Sequence, residues 1–413
     1  MTRTRIWHPF TQHGLGEPIP NIVRTEGAYL WMDTGERLID AISSWWVTTH
    51  GHAHPSIAAA IAEAAAMTDQ IIFAGHTHLQ AEAVADGLAA LFPAELAHIF
   101  FSDSGSTAVE VALKMALGFW AARGEGRHRI LVLEGSYHGD TIGAMSVGAR
   151  GVFNAPYAPL LFDVGTIPFP GDDDALDTLE AACREHAAAL IVEPLVLGAG
   201  GMRMYAPERL AAMAAICARH GVLFIADEVM TGWGRTGALT ACEQAGVVPD
   251  IMCLSKGLTG GSLPLAVTLA SAAIYDAHYA PDRSRMFFHS SSYTANPIAC
   301  AAAAANLAIW REEPVLERVA ALSVIQADWV ERAARWPGVI GARRLGTIAA
   351  FEVEDMRPGY LSALGPAIKA RCAAAGVLIR PLGNTVYVMP PYCVSSDDLA
   401  QVYGAIENAI RVR

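Results

Sequence analysis

Short apolar runs alternate with longer helical patterns through the middle of the chain. Runs without polar alternation predict buried strands at residues 129–134, 190–194, 222–228, 250–255 and 265–270. Between them, apolar residues spaced three and four apart predict helices near residues 106–123, 174–186 and 207–220. Strands that are apolar on both faces and separated by helices are typical of a mostly parallel sheet. The expected fold class is therefore α/β, with ligands beyond the carboxyl ends of the strands.

The two ends of the chain are patterned differently from its middle. Residues 1–42 are rich in turns and contain the strand-like stretch AYLWMDTGERLID. After Trp310 a long helical pattern leads to a second α/β portion. A chain of 413 residues is too long for one small core. We therefore predict a large domain over residues 44–312 and a small domain formed by residues 1–43 together with residues 313–413.

Composition and charge exclude several kinds of partner. Apolar residues make up 53% of the chain and charged residues 17%, which favours a packed protein over a disordered one. The formal net charge is −12 and no basic run is present, so nucleic acid is not an expected partner. Neither a membrane span nor the apolar core of a signal peptide is expected. The seven scattered cysteines are typical of reduced thiols in the cytoplasm.

Lysine is rare in this chain, since only Lys114, Lys256 and Lys369 stand among 29 basic residues. Lys256 follows the apolar run DIMCLS and precedes glycines, which allow a backbone to approach a ligand closely. Lys114 and Lys369 lie in helical patterns and are expected on the surface. Only lysine carries a primary amine that can form a Schiff base, and burial can lower its pKa. Lys256 is the catalytic candidate, although a lysine extending from a strand end to water is an alternative.

A carboxylate ends one of the most apolar runs. Asp227 closes the run VLFIAD, where an unpaired carboxylate is costly. Such an anion can hold the ring nitrogen of pyridoxal phosphate (PLP) protonated. A magnesium-binding Walker B role would require G-x-x-x-x-G-K-[ST], which the sequence lacks. Together with Lys256, Asp227 therefore favours PLP chemistry.

Two further motifs suit a flat, phosphorylated cofactor. Gly105 and Ser106 open an apolar helix, and the N–H groups of a helix N-terminus suit a phosphate. The alternative is simple capping, since Thr107 and Glu110 form an S/T-x-x-E box. Tyr137, in GSYHGDT directly after a predicted strand, can stack on a cofactor ring or belong to a structural turn.

A cluster of histidines suggests a different class of protein. His50, His52 and His54 form H-x-H-x-H, and His76 and His78 form H-x-H. Alternating histidines can bind zinc, so a metal-dependent hydrolase is the competing hypothesis. Against it, no carboxylate pattern is tied to the cluster, and a proline follows the third histidine in a segment typical of a turn. We therefore predict no metal site.

The motifs together resemble a known family. The stretch IADEVMTGWGRTG, followed 29 residues after Asp227 by SKGLTGG, is similar to the signature of the class III aminotransferases, PLP enzymes of fold type I. WHPFTQ, DAISSWWVTTHGHAHP and SYHGDTIGAMSVG resemble the branch that transfers an amino group from S-adenosylmethionine to 8-amino-7-oxononanoate in biotin biosynthesis. The resemblance covers essentially the whole chain and implies ping-pong transamination. Lysine as the donor and another ω-aminotransferase activity stay open.

The resemblance also implies roles for particular residues. Lys256 forms the Schiff base and carries the proton, Asp227 pairs with the ring nitrogen, and Tyr137 stacks on the ring. The implied cofactor-binding residues are Gly105, Ser106, Tyr137, His138, Asp227, Lys256, Ser291 and Ser292. The last two lie in HSSSY, a segment that the partner subunit supplies in this family. A homodimer with shared active sites is therefore implied.

A substrate site is implied as well. Its residues are Phe10, Trp45, Trp46, Tyr137, Asp140, Ser290 and Arg380. Trp45 and Trp46 can line a nine-carbon chain, and Arg380 can hold its carboxylate with two hydrogen bonds. Aromatic faces also attract a sulfonium donor, although a tryptophan pair is otherwise typical of core packing. Two departures from relatives bear on the donor: Phe10 stands where some have tyrosine, and Ser290 and Ser291 stand where they have Gly-Pro.

Overall fold

The computed structural model describes residues 4–412, in which strands and helices alternate along most of the chain. The strands are β1 (Ile22–Glu26), β2 (Tyr29–Met32), β3 (Arg37–Asp40), β4 (His98–Ser102), β5 (Ile130–Leu133), β6 (Gly165–Ile167), β7 (Ala189–Val192), β8 (Val196–Leu197), β9 (Arg203–Met204), β10 (Leu223–Asp227), β11 (Ile251–Leu254), β12 (Ala266–Ala270), β13 (Val339–Leu345), β14 (Ile348–Val353), β15 (Val377–Leu378) and β16 (Thr385–Val388). The helices are α1 (Ser43–Trp46), α2 (Pro55–Met67), α3 (Leu79–Leu91), α4 (Gly105–Ala122), α5 (Ile142–Ser146), α6 (Ala175–Arg184), α7 (Pro207–His220), α8 (Ala241–Gln244), α9 (Ala272–His278), α10 (Pro297–Glu312), α11 (Val315–Ala333), α12 (Leu364–Ala374) and α13 (Ser396–Arg411).

A seven-stranded sheet carries the centre of the molecule, in the order β4-β12-β11-β10-β7-β5-β6. Every predicted strand is present, and its ends differ from the prediction by at most two residues. The pairs on the β10 side of β11 are parallel, whereas β12 runs antiparallel to both β11 and β4. The prediction of a mostly parallel α/β sheet is confirmed. The reversal of β12 was not visible in its apolar run, because apolar composition does not encode strand direction.

Both faces of this sheet are covered, which explains the uninterrupted apolar runs. Along β10, Leu223 and Ile225 join the apolar cluster under α4, whereas Phe224 and Ala226 join the cluster that contains residues of α7. This alternation follows from the two-residue period of a strand. Full burial of each leucine, isoleucine or phenylalanine side chain stabilises the fold by about 1.5–3 kcal/mol. Along β10 the one polar side chain, Asp227, is thereby left at the strand end.

The two ends of the chain meet beside the central sheet. Strand β15, near the C-terminus, pairs in parallel with β3, near the N-terminus, in the sheet β1-β2-β3-β15. A further sheet, β13-β14-β16, packs against α11. This pairing supports the small domain that we propose from residues 1–43 and 313–413.

Two sequence expectations concern disulfides and membrane spans. All seven cysteines carry free thiols, and Cys393 is the exposed one. Within residues 4–412, no helix combines the length and the apolar character that crossing a bilayer requires.

Candidate active site

The predicted catalytic residues meet at the carboxyl ends of neighbouring strands. Asp227 ends β10, Lys256 follows β11, and Tyr137 lies in the loop after β5. They line a cavity of about 170 Å³ together with Gly105, Ser106 and His138. Parallel strands place these ends on one edge of the sheet, although the residues are far apart in the sequence. Six of the eight predicted cofactor-binding residues therefore share one cavity.

Asp227 is buried, and each of its carboxylate oxygens accepts a hydrogen bond. Its Oδ2 accepts a hydrogen bond from His138 Nδ1 at 2.7 Å, and its Oδ1 accepts one from the backbone N–H of Val229 at 3.1 Å. These bonds offset the cost of removing a carboxylate from water. His138 is also buried, and its Nε2 has no hydrogen-bond partner within residues 4–412. The pair leaves a fixed carboxylate at the cavity, as a cofactor with a basic ring nitrogen requires.

Lys256 begins a tight 3-10 turn, Lys256–Thr259, and has a left-handed backbone with φ +47°. No side-chain hydrogen bond of Nζ is found within residues 4–412, and Nζ lies 4.9 Å from the ring centre of Trp46. Burial lowers the pKa of Lys256 to about 8, while the negative charges of Asp227 and Glu193 act in the opposite direction. At pH 7 about a tenth of this amine is neutral, far more than for an ordinary lysine, which makes it a better nucleophile and base.

The cavity also contains Glu193, a carboxyl group that the sequence reasoning missed. Its two oxygens accept hydrogen bonds from the backbone N–H groups of Tyr137 and Gly198, both at 2.9 Å. Burial raises the pKa of Glu193 to about 7. Glu193 closes the run LIVE just as Asp227 closes VLFIAD. The same argument that singled out Asp227, the cost of an unpaired carboxylate at a buried strand end, could therefore have identified Glu193 from the sequence.

The N-terminus of α4 forms one end of the cavity. Gly105 is its first residue, and a Cβ at this position would lie 2.6 Å from Val229 Cγ1. Ser106 Oγ accepts a hydrogen bond from the backbone N–H of Asp140 at 3.1 Å. Glycine avoids this contact, and the backbone N–H groups of Gly105 and Ser106 have no hydrogen-bond partner within residues 4–412. Such groups, at the positive end of a helix dipole, suit a phosphate.

The capping of α4 corrects one detail of the sequence analysis. The capping box pairs Ser104 with Thr107, and Ser104 Oγ accepts a hydrogen bond from the Thr107 N–H at 3.2 Å. Glu110 takes no part in it, because its Oε1 accepts a hydrogen bond from the backbone N–H of Gly143 at 2.8 Å. The predicted box between Thr107 and Glu110 was therefore wrong. Glu110 instead contacts helix α5, and no local sequence pattern predicts this contact.

A second cavity of about 370 Å³ adjoins the first at Lys256 and Tyr137. It contains all but one of the predicted substrate-binding residues, namely Phe10, Trp45, Trp46, Tyr137, Asp140 and Arg380. The guanidinium carbon of Arg380 lies 4.6 Å from the ring centre of Trp45 and 5.6 Å from that of Phe10. The cavity is thus an aromatic channel with a lysine at one end and an arginine along its wall.

Three aromatic residues of this channel were not predicted. Tyr387 Oη accepts a hydrogen bond from Trp46 Nε1 at 2.9 Å, which fixes the buried indole. Phe153 and Tyr360 pack edge to face with ring centres 4.4 Å apart. These residues come from β16 and from loops, and a lone aromatic residue in such segments gives no distinct sequence signal.

The segment that carries the tryptophans has a strained backbone. Ser43, Ser44 and Trp46 have φ values of +52°, +59° and +67°. A non-glycine residue in this region costs about 1–3 kcal/mol. Buried Arg235 offsets this cost by donating to the backbone carbonyls of Trp46 and Thr48, at 3.3 and 2.8 Å. The surrounding structure therefore holds the two indoles where local preference would not.

The predicted segment Ser290–Ser292 does not enter the cavity of its own chain. Ser290 and Ser292 are exposed, and Ser291 Oγ donates a hydrogen bond to Asp103 Oδ2 at 2.6 Å. Asp103 lies just before the N-cap of α4. Gly105 and Ser106 thus line the cavity without the three serines.

The histidines have structural partners instead of a common metal. His52 Nε2 lies 2.8 Å from Asp40 Oδ2, and His50 Nε2 lies 2.9 Å from Asn306 Oδ1. His78 caps α3 through its side chain. Across residues 4–412, no three histidine, cysteine or acidic side chains come close enough to hold a metal ion. These contacts account for His50, His52 and His78 of the two motifs.

Comparison with known proteins places this cavity in a family. The class III aminotransferase family matches residues 11–410, and the chain belongs to that family. It is 46% identical to the adenosylmethionine-8-amino-7-oxononanoate aminotransferase of Synechococcus elongatus, over 98% of each chain. The crystal structure of the enzyme of that name from Methanocaldococcus jannaschii has a TM-score of 0.95 and 31% identity, over 98% of this chain and 97% of the other. An amine transaminase from an uncultivated Pseudomonas species, in its PLP-bound form, has a TM-score of 0.92 and 32% identity, over 99% of each chain.

These matches confirm the predicted family, fold type and enzyme class. They also confirm PLP as the cofactor of this aminotransferase. The cavity fits that cofactor: it offers a free buried amine, a fixed carboxylate and the open N-terminus of α4.

Proposed function

We propose that this chain transfers the amino group of S-adenosylmethionine to 8-amino-7-oxononanoate, giving 7,8-diaminononanoate for biotin biosynthesis. The observation that carries the proposal is the aromatic channel between Lys256 and Arg380, which suits a long apolar acid. The names of the Synechococcus and Methanocaldococcus relatives support it. The structural similarity to an amine transaminase keeps a related ω-aminotransferase as the alternative.

The proposed cofactor site follows from the geometry of the first cavity. When bound, PLP supplies a reactive aldehyde and an electron-withdrawing ring. Gly105 and Ser106 bind its phosphate through the N-terminus of α4, and Asp227 keeps its ring nitrogen protonated. His138 holds the Asp227 carboxylate in place at 2.7 Å. Tyr137, in the loop after β5, also lines this cavity and would pack against the ring.

Lys256 has two roles in the proposal. Its neutral amine holds the cofactor, since burial lowers its pKa to about 8. With PLP in the cavity, Lys256 Nζ would also be the base that accepts the proton of the substrate carbon. Trp46, with its ring centre 4.9 Å from Nζ, shields this transfer from water. The donor and the acceptor use the same channel in turn, which gives ping-pong kinetics.

The acceptor is recognised along the channel. The rings of Trp45, Phe153 and Tyr360 line the path of its apolar chain. The Arg380 guanidinium binds its carboxylate through two parallel hydrogen bonds. The faces of Phe10 and Trp45 already contact this cation, and they attract the sulfonium of the donor in the same way.

Replacement of Arg380 separates the two substrates. We expect Arg380→Ala to raise KM for the oxo acid by about tenfold to 10²-fold, because a charge-assisted hydrogen bond contributes about 1.5–3 kcal/mol. KM for S-adenosylmethionine changes much less, since its carboxylate lies nearer the reacting carbon than the end of a nine-carbon chain. Steady-state kinetics with each substrate varied in turn check this. Equal effects on the two KM values would remove Arg380 from the role.

The donor is tested by visible absorption of the PLP-loaded protein. We expect S-adenosylmethionine alone to convert the band of the lysine-bound cofactor to that of pyridoxamine phosphate. Phe10 lacks a hydroxyl that some relatives have, so lysine is tested separately. Conversion by lysine alone would keep the enzyme class and change the donor. Conversion by simple amines, but by neither S-adenosylmethionine nor lysine, would favour the ω-aminotransferase alternative. The absence of an absorption band of the lysine-bound cofactor after PLP is added would contradict the cofactor site.

We also propose a homodimer with shared active sites. Ser290 and Ser292 are exposed and lie outside the cavity of their own chain. Ser291 is held by Asp103, beside the N-terminus of α4. Two chains related by symmetry at this point place each serine segment against the other chain's phosphate site. A solution mass of twice 43.8 kDa would agree with this arrangement.

We propose a cytoplasmic location for this enzyme. Its seven cysteines carry free thiols and six of them are buried, which suits a reducing compartment. Its proposed substrates are small molecules, and the net charge of −12 disfavours nucleic acid as a partner.

A further inference from the structure

A buried asparagine bridges the lysine-bearing turn and a histidine. Asn306 lies inside the alanine-rich helix α10 and is fully buried. Its Nδ2 donates to the carbonyls of Gly257 and Leu258, both at 3.0 Å. Its Oδ1 lies 2.9 Å from His50 Nε2. An amide in such a position has all its main hydrogen-bonding groups engaged, so its orientation is fixed.

The partner of the asparagine is held in one protonation state. Because both N–H groups of Asn306 point to carbonyls, its oxygen must face His50, whose Nε2 therefore carries the hydrogen. His50 Nδ1 is buried without a partner within residues 4–412, and Trp310 and Tyr392 pack edge-on against the ring. Burial lowers the pKa of His50 to about 4. The imidazole is thus a fixed, neutral donor.

The two carbonyls belong to the turn that aims Lys256. This turn is constrained on its other side, since a Cβ on Gly257 would lie 2.8 Å from the Trp233 side chain. Lys256 itself has the left-handed φ of +47°, which its own preference does not favour. The Asn306 side chain therefore ties the carbonyls of the two residues after Lys256 to helix α10, and the carbonyl of Gly257 also accepts from the Gly260 N–H at 3.0 Å.

We propose that Asn306, oriented by His50, is a positioning residue that sets where the Lys256 amine stands in the cavity. This inference rests on the proposed function and adds a residue outside the cavity to it. Asn306 touches neither cofactor nor substrate. It acts through the backbone of the Lys256–Thr259 turn.

The environment of the amine gives the proposal a specific readout. The charged or titratable groups that face Lys256 Nζ are Asp227, Glu193 and Arg235, with Tyr137 and His138 across the cavity. If the Lys256–Thr259 turn relaxes, Lys256 Nζ moves relative to all of these groups and water enters the cavity. The amine then behaves more like an ordinary lysine, and a higher pH is needed to make it neutral.

The test compares Asn306→Leu with a matched control, Gln326→Met. Gln326 is a fully buried amide in α11 that donates to the carbonyls of Thr347 and Val388, at 3.0 and 3.3 Å, and accepts from Tyr403. None of these three partners lines either cavity. Either substitution removes two hydrogen bonds from a buried amide to backbone carbonyls, so both variants are expected to lower the melting temperature similarly.

The readouts are the pH dependence of PLP capture by the apoprotein and the steady-state constants. For Asn306→Leu we expect the midpoint of the capture rate to rise by at least about half a pH unit. Its kcat is expected to fall by about tenfold to 10²-fold, since small misplacements of a reacting group have effects of this size. KM for both substrates should stay within about twofold of wild type. Gln326→Met is expected to keep the wild-type midpoint and kcat.

A second pair of variants keeps Asn306 in place. His50→Gln retains an N–H donor near the position of Nε2. His50→Phe removes this donor, so the side-chain amide of Asn306 can rotate and exchange its oxygen and nitrogen positions. We expect His50→Phe to shift the capture midpoint in the same direction as Asn306→Leu, and His50→Gln to restore most of the wild-type value. These variants also decide the question if Asn306→Leu fails to fold.

The outcomes separate this proposal from the proposed function. Wild-type midpoints in Asn306→Leu and His50→Phe, or equal shifts in Gln326→Met, would overturn the positioning role and leave the transaminase intact. If wild-type protein captures no PLP at any pH, the proposed function fails first. A midpoint shift confined to the Asn306 and His50 variants supports the proposal.

Discussion

Lys256→Ala is expected to abolish turnover. Lys256 Nζ is the amine of the cofactor cavity, makes no side-chain hydrogen bond within residues 4–412 and is partly neutral near pH 7 because its pKa is lowered to about 8. Loss of a general base alone slows a reaction by about 10²- to 10⁴-fold, and here the covalent attachment is lost as well. We therefore expect kcat to fall by more than about 10⁴-fold. PLP still binds through the phosphate site and Asp227, without the absorption band of the lysine-bound form.

The matched control is Lys369→Ala, because Lys369 is exposed on α12 and was predicted to lie on the surface. It should keep wild-type kcat, absorption and melting temperature. Added methylamine should restore part of the activity of Lys256→Ala in proportion to its concentration, since a free amine can move the same proton. A Lys256→Ala protein that completes catalytic cycles without added amine would contradict the assignment.

Asp227→Asn has the second largest expected effect. The asparagine has the shape of the aspartate but no charge to keep the ring nitrogen of the cofactor protonated. Preorganised electrostatic contacts of this kind are worth on the order of 10²- to 10³-fold in kcat, and we expect a loss of that size. The variant amide also cannot accept from His138 and Val229 in the way that the two carboxylate oxygens do.

Asp250→Asn serves as its control, because Asp250 is a partly buried carboxylate that precedes β11 and accepts from the Phe224 N–H at 2.8 Å. It lies at the opposite end of the strand from the cavity. We expect a small change in melting temperature and unchanged kcat. If Asp227→Asn kept kcat within a few-fold of wild type, or if both variants lost activity equally, the proposed pairing with the ring nitrogen would be wrong.

Much of the architecture was readable because it is encoded locally. The run VLFIADE predicted both a buried strand and a carboxylate at its end, and the structure places Asp227 there as the last residue of β10. The rarity of lysine singled out Lys256, which the structure places in the cavity. The roles of these residues stay predictions until the variants are measured. Phe10, Trp45, Trp46 and Arg380 were found through family motifs, since nothing in their local pattern distinguishes a channel from a core.

Other features depended on contacts between distant segments. Glu193 accepts from Tyr137, which follows another strand, and Tyr387 meets Trp46 across 341 residues. Helix α4 begins at Gly105, so Ser104 is its N-cap with Thr107 as partner, and Glu110 instead accepts from the Gly143 N–H of α5. The pattern of alternating histidines suggested a shared metal, but the fold gives each a separate partner. Distances of this kind are set by packing and not by spacing along the chain.

The sequence by itself determined the fold class, five strands of the central sheet with three of its helices, and the strand ends at which the polar residues stand. It could do so because burial on both faces of a sheet requires uninterrupted apolar runs, and the cost of burying charge confines carboxylates to their ends. Only the tertiary structure decided the direction of β12, the walls of the aromatic channel and the hold of Asn306 on the Lys256 turn. Each of these depends on which remote segments pack together, and that choice is made by the whole core at once.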